Sequence, residues 1–208
     1  MSMKLRAALL GALFFASACS HQAQIPVVDG AALAQQIGAK QSGRYAVVLQ
    51  TGGWALTAEN QAFACSLNSF NVDVNPIWEK TAKEAVAGAV RRADFVTSLK
   101  SAEELKEQGY DAIVILTQSH ARSEMAILPK LIRSEAISET ALDLVMVVNW
   151  PDGSTIQEAL TGQGKMTKFV FGCDEAADVV GQSASRAIRD LVKQMIVTLK
   201  LHLAQRQG

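Results

Sequence analysis

The sequence predicts an α+β domain, a mostly antiparallel sheet with two long helices packed on one face, preceded by a signal peptide and a flexible tether. Three observations predict it. Apolar residues recur at helical spacing in two long stretches, one opening at Asn75 and one at Asp174. Between them lie β-rich runs such as Ala112-Ile113-Val114-Ile115-Leu116. A Pro151-Asp152-Gly153 turn joins two strands into a hairpin.

The first element is an address. Lys4 and Arg6 form a positive n-region and Leu9 to Ala16 an apolar run, the layout of a secretory signal. The run is too short to cross a bilayer, which takes about 20 apolar residues. It closes on Phe15-Ala16-Ser17-Ala18-Cys19, which resembles the lipobox of bacterial lipoproteins, with Ala16 where that family more often has Leu. The resemblance implies that residues 1–18 are a lipoprotein signal peptide and that the Cys19 thiol receives a diacylglycerol. Cleavage just before Cys19 and acylation of the new amine follow, with palmitate as the expected label. Ser20, in place of Asp, implies sorting to the outer membrane, with the domain facing the periplasm. The competing reading is a secreted protein cut after Ala18.

Two or three acyl chains attach stably where one holds only marginally, so membrane association needs no protein surface. No other stretch runs 18 apolar residues without charge. Residues 19–43 read as the lipidated N-terminus and tether, because His21 to Gly43 is rich in Gln, Ala and Gly with Pro26 near its start. A weak helix, Asp29 to Ile37, is allowed within it. Residues 44–208 are then one periplasmic domain, of a length that buries a hydrophobic core.

The precursor has 20 basic and 20 acidic residues, and losing Lys4 and Arg6 leaves the mature chain slightly acidic. Nucleic acid is not an expected partner, since it calls for a clustered excess of Lys and Arg.

Tyr45-Ala46-Val47-Val48-Leu49 reads as a buried strand ended by Gly52-Gly53, and Phe63 to Val74 as a second strand. Asn75-Pro76 opens a helix with a capping side chain and a proline at the first helical position. Trp78, Ala82, Ala85, Val86, Ala89 and Ala93 mark its apolar face, and its end is expected near Asp94. Phe95 to Leu99 follows as a short strand. Ser101 with Glu104 is a capping box for a brief helix stopping at Gly109. The run from Ala112 to Leu116 suggests a central strand covered on both faces. Leu142 to Trp150 alternates, with a second face only partly polar, and Thr155 to Leu160 returns across the turn as its partner. The last helix starts at Asp174, where Asp174, Glu175 and Asp178 suit the macrodipole, and Ala177, Val180, Ala184, Ala187, Leu191 and Met195 form its stripe.

Phe95-Val96-Thr97-Ser98-Leu99, Ser101 to Gly109, Tyr110-Asp111-Ala112-Ile113-Val114 and Trp150-Pro151-Asp152-Gly153 resemble, in order, a group of small envelope lipoproteins. The group includes the curli-secretion lipoprotein family and the N-terminal domain of the Tol translocation protein. The resemblance spans about Tyr45 to Leu203 and rests on element order. It implies a role in building or bridging the envelope and carries over no functional residue.

Catalytic candidates are few. Of the three histidines, His21 lies in the tether, His202 near the end of the last helix, and His120 beside Ser119, Ser123 and Glu124 just past the central strand. That last cluster reads better as a polar strand end facing water. Gly-x-Ser-x-Gly, His-Glu-x-x-His and phosphate-loop motifs are absent from the sequence. Gly162-Gln163-Gly164-Lys165 is the nearest to a phosphate cradle, but no helix opens behind it, so a strand-ending turn is expected. Cys65 and Cys173, with scattered histidines, lack metal-ligand spacing, so neither metal nor cofactor is expected. Trp78 and Trp150 read as core, with a groove lined by Trp54, Trp78 and Trp150 as the alternative.

No enzyme is expected. The chain reads as a lipid-anchored assembly or bridging factor that offers a sheet edge or helix face to an envelope protein or peptidoglycan. The alternative is an accessory lipoprotein that carries a lipid or other apolar ligand between helices and sheet. With Cys19 lipidated, Cys65 and Cys173 are two cysteines in an oxidising compartment, and a disulfide between them is expected. Two buried thiols remain the alternative.

Overall fold

The computed structural model describes residues 20–60, 65 and 68–207. The signal peptide and Cys19 lie outside the described residues. The elements of the first half are β1 (Ser20–Gln22), α1 (Gly30–Gln36), β2 (Gln41–Gln50), β3 (Ala55–Asn60), β4 (Ser69–Asp73) and α2 (Asn75–Ala89). Then follow β5 (Val90–Phe95), α3 (Ala102–Glu107), β6 (Ala112–Leu128), β7 (Ser134–Asn149), β8 (Thr155–Val170) and α4 (Cys173–Gln207).

The fold is α+β, and the meander β6–β7–β8 is its backbone. Its two antiparallel ladders run from Ile113↔Asn149 to Leu128↔Glu135 and from Asn149↔Thr155 to Ser134↔Val170. The free edge of β6 is long enough to serve two partners. Its first half pairs in parallel with β2, from Tyr45↔Ala112 to Gln50↔Thr117, and its second half with β3 at Glu59↔Glu124 and Asn60↔Met125. Between the two the β6 register shifts after Gln118, whose side-chain oxygen accepts from the backbone N–H groups of Gly52 at 2.9 Å and Gly53 at 2.8 Å. One amide thus closes the gap where β2 leaves the sheet and β3 has yet to join it. Beyond β2 lies β5, and beyond β3 lie β4 and then β1.

α2 and α4 share the core on one face, and α4 lies along β7 and β8. α3 covers the other face only at one end, where Leu105 and Tyr110 pack on Ala46, Val48 and Ile113. β2 and the start of β6 are therefore covered on both faces, which explains their uninterrupted apolar runs. The capping box at Ser101 and Glu104 forms as expected, and Gly109 takes a positive φ of 68° after the helix.

Several boundaries differ from expectation. α2 stops at Ala89, and Val90–Phe95 becomes an edge strand parallel to β2, so the expected strand Phe95 to Leu99 lies mostly beyond it. Val90 turns extended and buries its side chain, whereas Arg91 and Arg92 point to water. Asn75 does not cap: Val74 holds the cap position and the Asn75 amide donates to the Trp54 carbonyl at 3.0 Å. β3 was not expected, and β4 occupies the end of the expected strand Phe63 to Val74. The hairpin strands β7 and β8 extend well past Leu142 and Leu160.

The largest departure concerns the expected tether, residues 19–43. From Ser20 onward it is built into the domain. β1 pairs with β4, Asp29 caps α1 by accepting from the Ala32 N–H at 2.9 Å, and Ala23, Val28, Leu33 and Ala34 are buried. The chain crosses α4 at Gly181, where a Cβ would come within 1.9 Å of the Gln24 carbonyl oxygen. Thr81 donates to the Val28 carbonyl at 3.1 Å and Ser185 to that of Pro26 at 3.2 Å. Lys200, from α4, donates to the Gly38 carbonyl at 2.7 Å, just past the C-terminal end of α1, where a cation is favoured. Burial lowers the pKa of this ammonium group below its ordinary value. Composition suggested flexibility, but small residues here serve close packing.

Candidate functional site

α4 covers the inner face of the meander, which leaves most of the outer face to be filled by its own side chains. Along β8 that face carries Thr155, Gln157, Ala159, Thr161, Gln163, Lys165, Thr167 and Phe169, all exposed, because side chains alternate strictly along a strand. Across it, register aligns Glu124 of β6 with Glu139 of β7 and Lys165 of β8, and one step along it aligns Arg122, Ala141 and Gln163. These residues surround a shallow open hollow of about 510 Å³. Lys165 pairs with Glu139. The cations beside Glu124 and Glu139 offset the repulsion of two carboxylates set directly opposite on neighbouring strands. Further along the same face, half-buried Val145 and Val147 form a short apolar row that leads to Ile115, which packs beside the α3 cluster. The arrangement offers water mixed charges and a strip of aliphatic surface.

The edge of β8 is another matter. Arg186 donates to the Lys165 carbonyl at 2.8 Å, Asp190 accepts from the Gln163 N–H at 3.0 Å, and Gln194 donates to the Thr161 carbonyl at 2.9 Å. α4 side chains thus occupy backbone groups that an added strand would need. The face of the meander is available where the middle of its edge is not.

A second hollow lies at the far end of the meander, lined by Tyr45, Tyr110, Asp111, Trp150, Asp152 and Arg206 among others. The Arg206 guanidinium sits 4.8 Å over the Trp150 ring and donates to Asp152 at 2.7 Å. Hydrogen bonds, first from the Ser154 hydroxyl, then from the Ser154 N–H and Arg206, hold the Asp152 carboxyl down at about 2.

The residues weighed for catalysis do not converge. Ser119 and His120 are exposed where the β6 register shifts. Ser123 faces inward to Thr140 at 3.1 Å, and Glu124 faces outward. His21 contacts Asp174 at 2.8 Å and stacks on Phe70, and His202 contacts Glu158 at 2.9 Å. Among the described residues no group of three or more His, Cys, Asp or Glu is placed to hold a metal ion. Gly162 to Lys165 is neither a cradle nor a strand-ending turn. It lies inside β8, where Gly162 and Gly164 let the α4 backbone approach. Trp54 and Trp78 are fully buried against each other with ring centroids 5.2 Å apart, and Trp150 lies at a separate hollow, so the three do not line one groove. Cys65 and Cys173 are joined by a disulfide with Cα atoms 6.1 Å apart. Arg122 and Glu139 carry no role in the sequence, and Gln163 enters it only within the Gly162 to Lys165 stretch. None of the three lies on the strand expected from Leu142 to Trp150, and only strand register makes them neighbours.

No protein-family model and no curated protein matches the chain. Solved structures do show likenesses. The chain is similar to a Xanthomonas campestris protein of the DUF330 family at 10% identity, with 90% of this chain and 98% of that one covered and a TM-score of 0.41. It is similar to PelC from Paraburkholderia phytofirmans, solved as a dodecamer, at 12% identity over 85% and 93% of the two chains, with a TM-score of 0.32. A third likeness is to lipoprotein GNA1162 from Neisseria meningitidis, at 12% identity over 78% and 99%, with a TM-score of 0.25. Likenesses this distant carry no argument about function.

Proposed function

We propose that the protein is a lipid-anchored, non-enzymatic assembly or bridging factor of the bacterial envelope, held at the outer membrane through Cys19, and that the outer face of β6–β7–β8 docks a protein partner. The observation that carries this reading is the open face itself, charged at Arg122, Glu124, Glu139 and Lys165 and apolar at Val145 and Val147. Protein interfaces combine an apolar centre with a polar rim, and the aliphatic row favours a protein over peptidoglycan. Among the described residues no helix is long and apolar enough to cross a membrane. The carrier alternative finds little room between α4 and the sheet. A Cβ at Gly164 would meet the Ser183 carbonyl oxygen at 2.0 Å, and the hydroxyls of Ser138, Thr140 and Ser183 fill that layer with their own hydrogen bonds.

The test places a photo-crosslinking residue at Gln163 in the full chain and irradiates intact cells. A discrete envelope-protein adduct is expected, and it should be lost in a chain that also carries Arg122→Glu and Lys165→Glu, while the unfolding midpoint stays unchanged. An adduct that survives both charge reversals, or none from this face, would sink the reading. Cys19→Ser is expected to leave the protein unprocessed and free of palmitate label.

A further inference from the structure

The end of the meander opposite Trp150 carries a different surface. The loop joining β6 to β7 is Pro129-Lys130-Leu131-Ile132-Arg133, and its two aliphatic side chains are in water, Leu131 at 105% and Ile132 at 88% exposure. Leu128, Phe169 and Phe171 are exposed beside them. Large apolar side chains gathered this way at one tip mark a contact surface, where the same residues scattered singly would not. The loop is short, and it is mounted on strands of 17 and 16 residues, so it cannot fold back to bury itself. Arg133 lies 4.8 Å over the Phe169 ring, Lys130 is 3.5 Å from Glu135, and Lys168 is exposed nearby. Long basic side chains around an apolar tip suit a layer of anionic phosphate groups above hydrocarbon. The neighbouring acids are already engaged, Glu135 by Lys130, Asp174 by His21, and Glu175 by the Phe171 N–H.

The start of the described chain points to the same end. β1 is parallel to β4, β4 is antiparallel to β3, and β3 is parallel to β6, so β1 runs away from the tip and the chain enters it from the tip side. Ser20 stands level with Ser69, Glu59 and Glu124. The tip-side end of β6, Leu128, is four residues further along, about 13 Å at strand spacing. The described chain therefore starts, at Ser20, on the side of the molecule that presents Leu131 and Ile132.

We propose that the β6–β7 tip dips Leu131 and Ile132 into the same bilayer that holds the lipidated Cys19, with Lys130, Arg133 and Lys168 on its phosphates. The domain then meets the membrane at two points and in one orientation. Shallow insertion of apolar side chains by about 5–10 Å is how surface-bound elements hold a membrane, and the basic residues add attraction to anionic lipid. This inference rests on the anchor reading above and adds to it a fixed orientation, with the long axis of the meander directed away from the membrane.

The test uses the full, processed chain carrying Ile132→Trp, reconstituted through its own N-terminus into phosphatidylethanolamine–phosphatidylglycerol vesicles whose acyl chains bear bromine just below the headgroups. The native tryptophans are buried, so the added one dominates the change in quenching. Its emission is expected to shift to the blue and to fall to roughly half. A control tryptophan at Val197, exposed on α4, should be unaffected. An unquenched, water-like tryptophan at 132 overturns the proposal, as does a blue shift that grows with protein concentration and ignores bromine, which would mean a second copy covers the tip. The mass of the N-terminal peptide reports the anchor separately. Lipid on Cys19 without quenching defeats the tip alone, quenching without lipid defeats the anchor alone, and neither signal defeats both.

Discussion

Gly162 and Gly164 show how much one missing methyl group decides here. A Cβ at Gly162 would stand 2.3 Å from the Ala187 carbonyl oxygen, and one at Gly164 2.0 Å from that of Ser183. These neighbours are helix backbone, which cannot rotate away as a side chain can. Two glycines on one face of β8 therefore set how closely α4 lies on the sheet. Gly164→Ala is expected to lower stability by about 1–3 kcal/mol, the range for overpacking a dense interior, with urea unfolding as the measurement. A substitution without effect would mean that α4 can lift from β8 at no cost. Lys165, the next residue, points to the other side, where it pairs with Glu139 on the outer face.

The β7–β8 hairpin and the last turns of α4 act as a unit through Asp152, Ser154 and Arg206. The carboxyl of Asp152 is lowered from an ordinary 3.8 to about 2, chiefly because it accepts from the Ser154 hydroxyl. A group with a lowered native pKa stabilises the fold above its ordinary pKa, and that contribution is lost as pH falls through the native value. Asp152→Asn should therefore have a lower thermal midpoint than the parent at pH 6, and the gap should close between about pH 4 and pH 2. A gap that is constant over this window would assign the effect to shape instead of charge. The group is exposed, so the difference should be modest and smaller in high salt.

At the scale of the whole molecule, the Cys65–Cys173 disulfide spans 108 residues and ties the chain between β3 and β4 to the first residue of α4. It thereby joins the flank built on β3, β4 and β1 to the long helix that covers the meander. Closing so long a loop restricts the unfolded chain, and replacing both cysteines with alanine is expected to cost about 2–5 kcal/mol. Denaturant unfolding with and without reductant checks this, and reductant should affect only the parent. Thiol labelling of the unfolded, unreduced protein should find neither Cys65 nor Cys173 reactive. The bond lies toward the same end as β1 and the β6–β7 tip, so its loss should loosen the end of the domain assigned here to the membrane.

What the sequence determined by itself is what short-range chemistry controls. The capping box at Ser101 and Glu104, the turn at Pro151 to Gly153 and the long stripe of α4 are each settled by residues a few positions apart. The runs at Tyr45 to Leu49 and Ala112 to Leu116 were legible because burial on both faces removes polar alternation. The α+β class followed from these pieces. Tertiary structure decided the rest. Val90 to Phe95 leaves the helical pattern only because β2, far back in the chain, offers it an edge to pair with. Residues 20–43 looked like a tether because their order depends on α2, α4 and β4, and nothing within the segment reports those partners. The outer-face site was the least legible part. Arg122, Glu124, Glu139, Gln163 and Lys165 come from three strands, and only the register between those strands makes them neighbours.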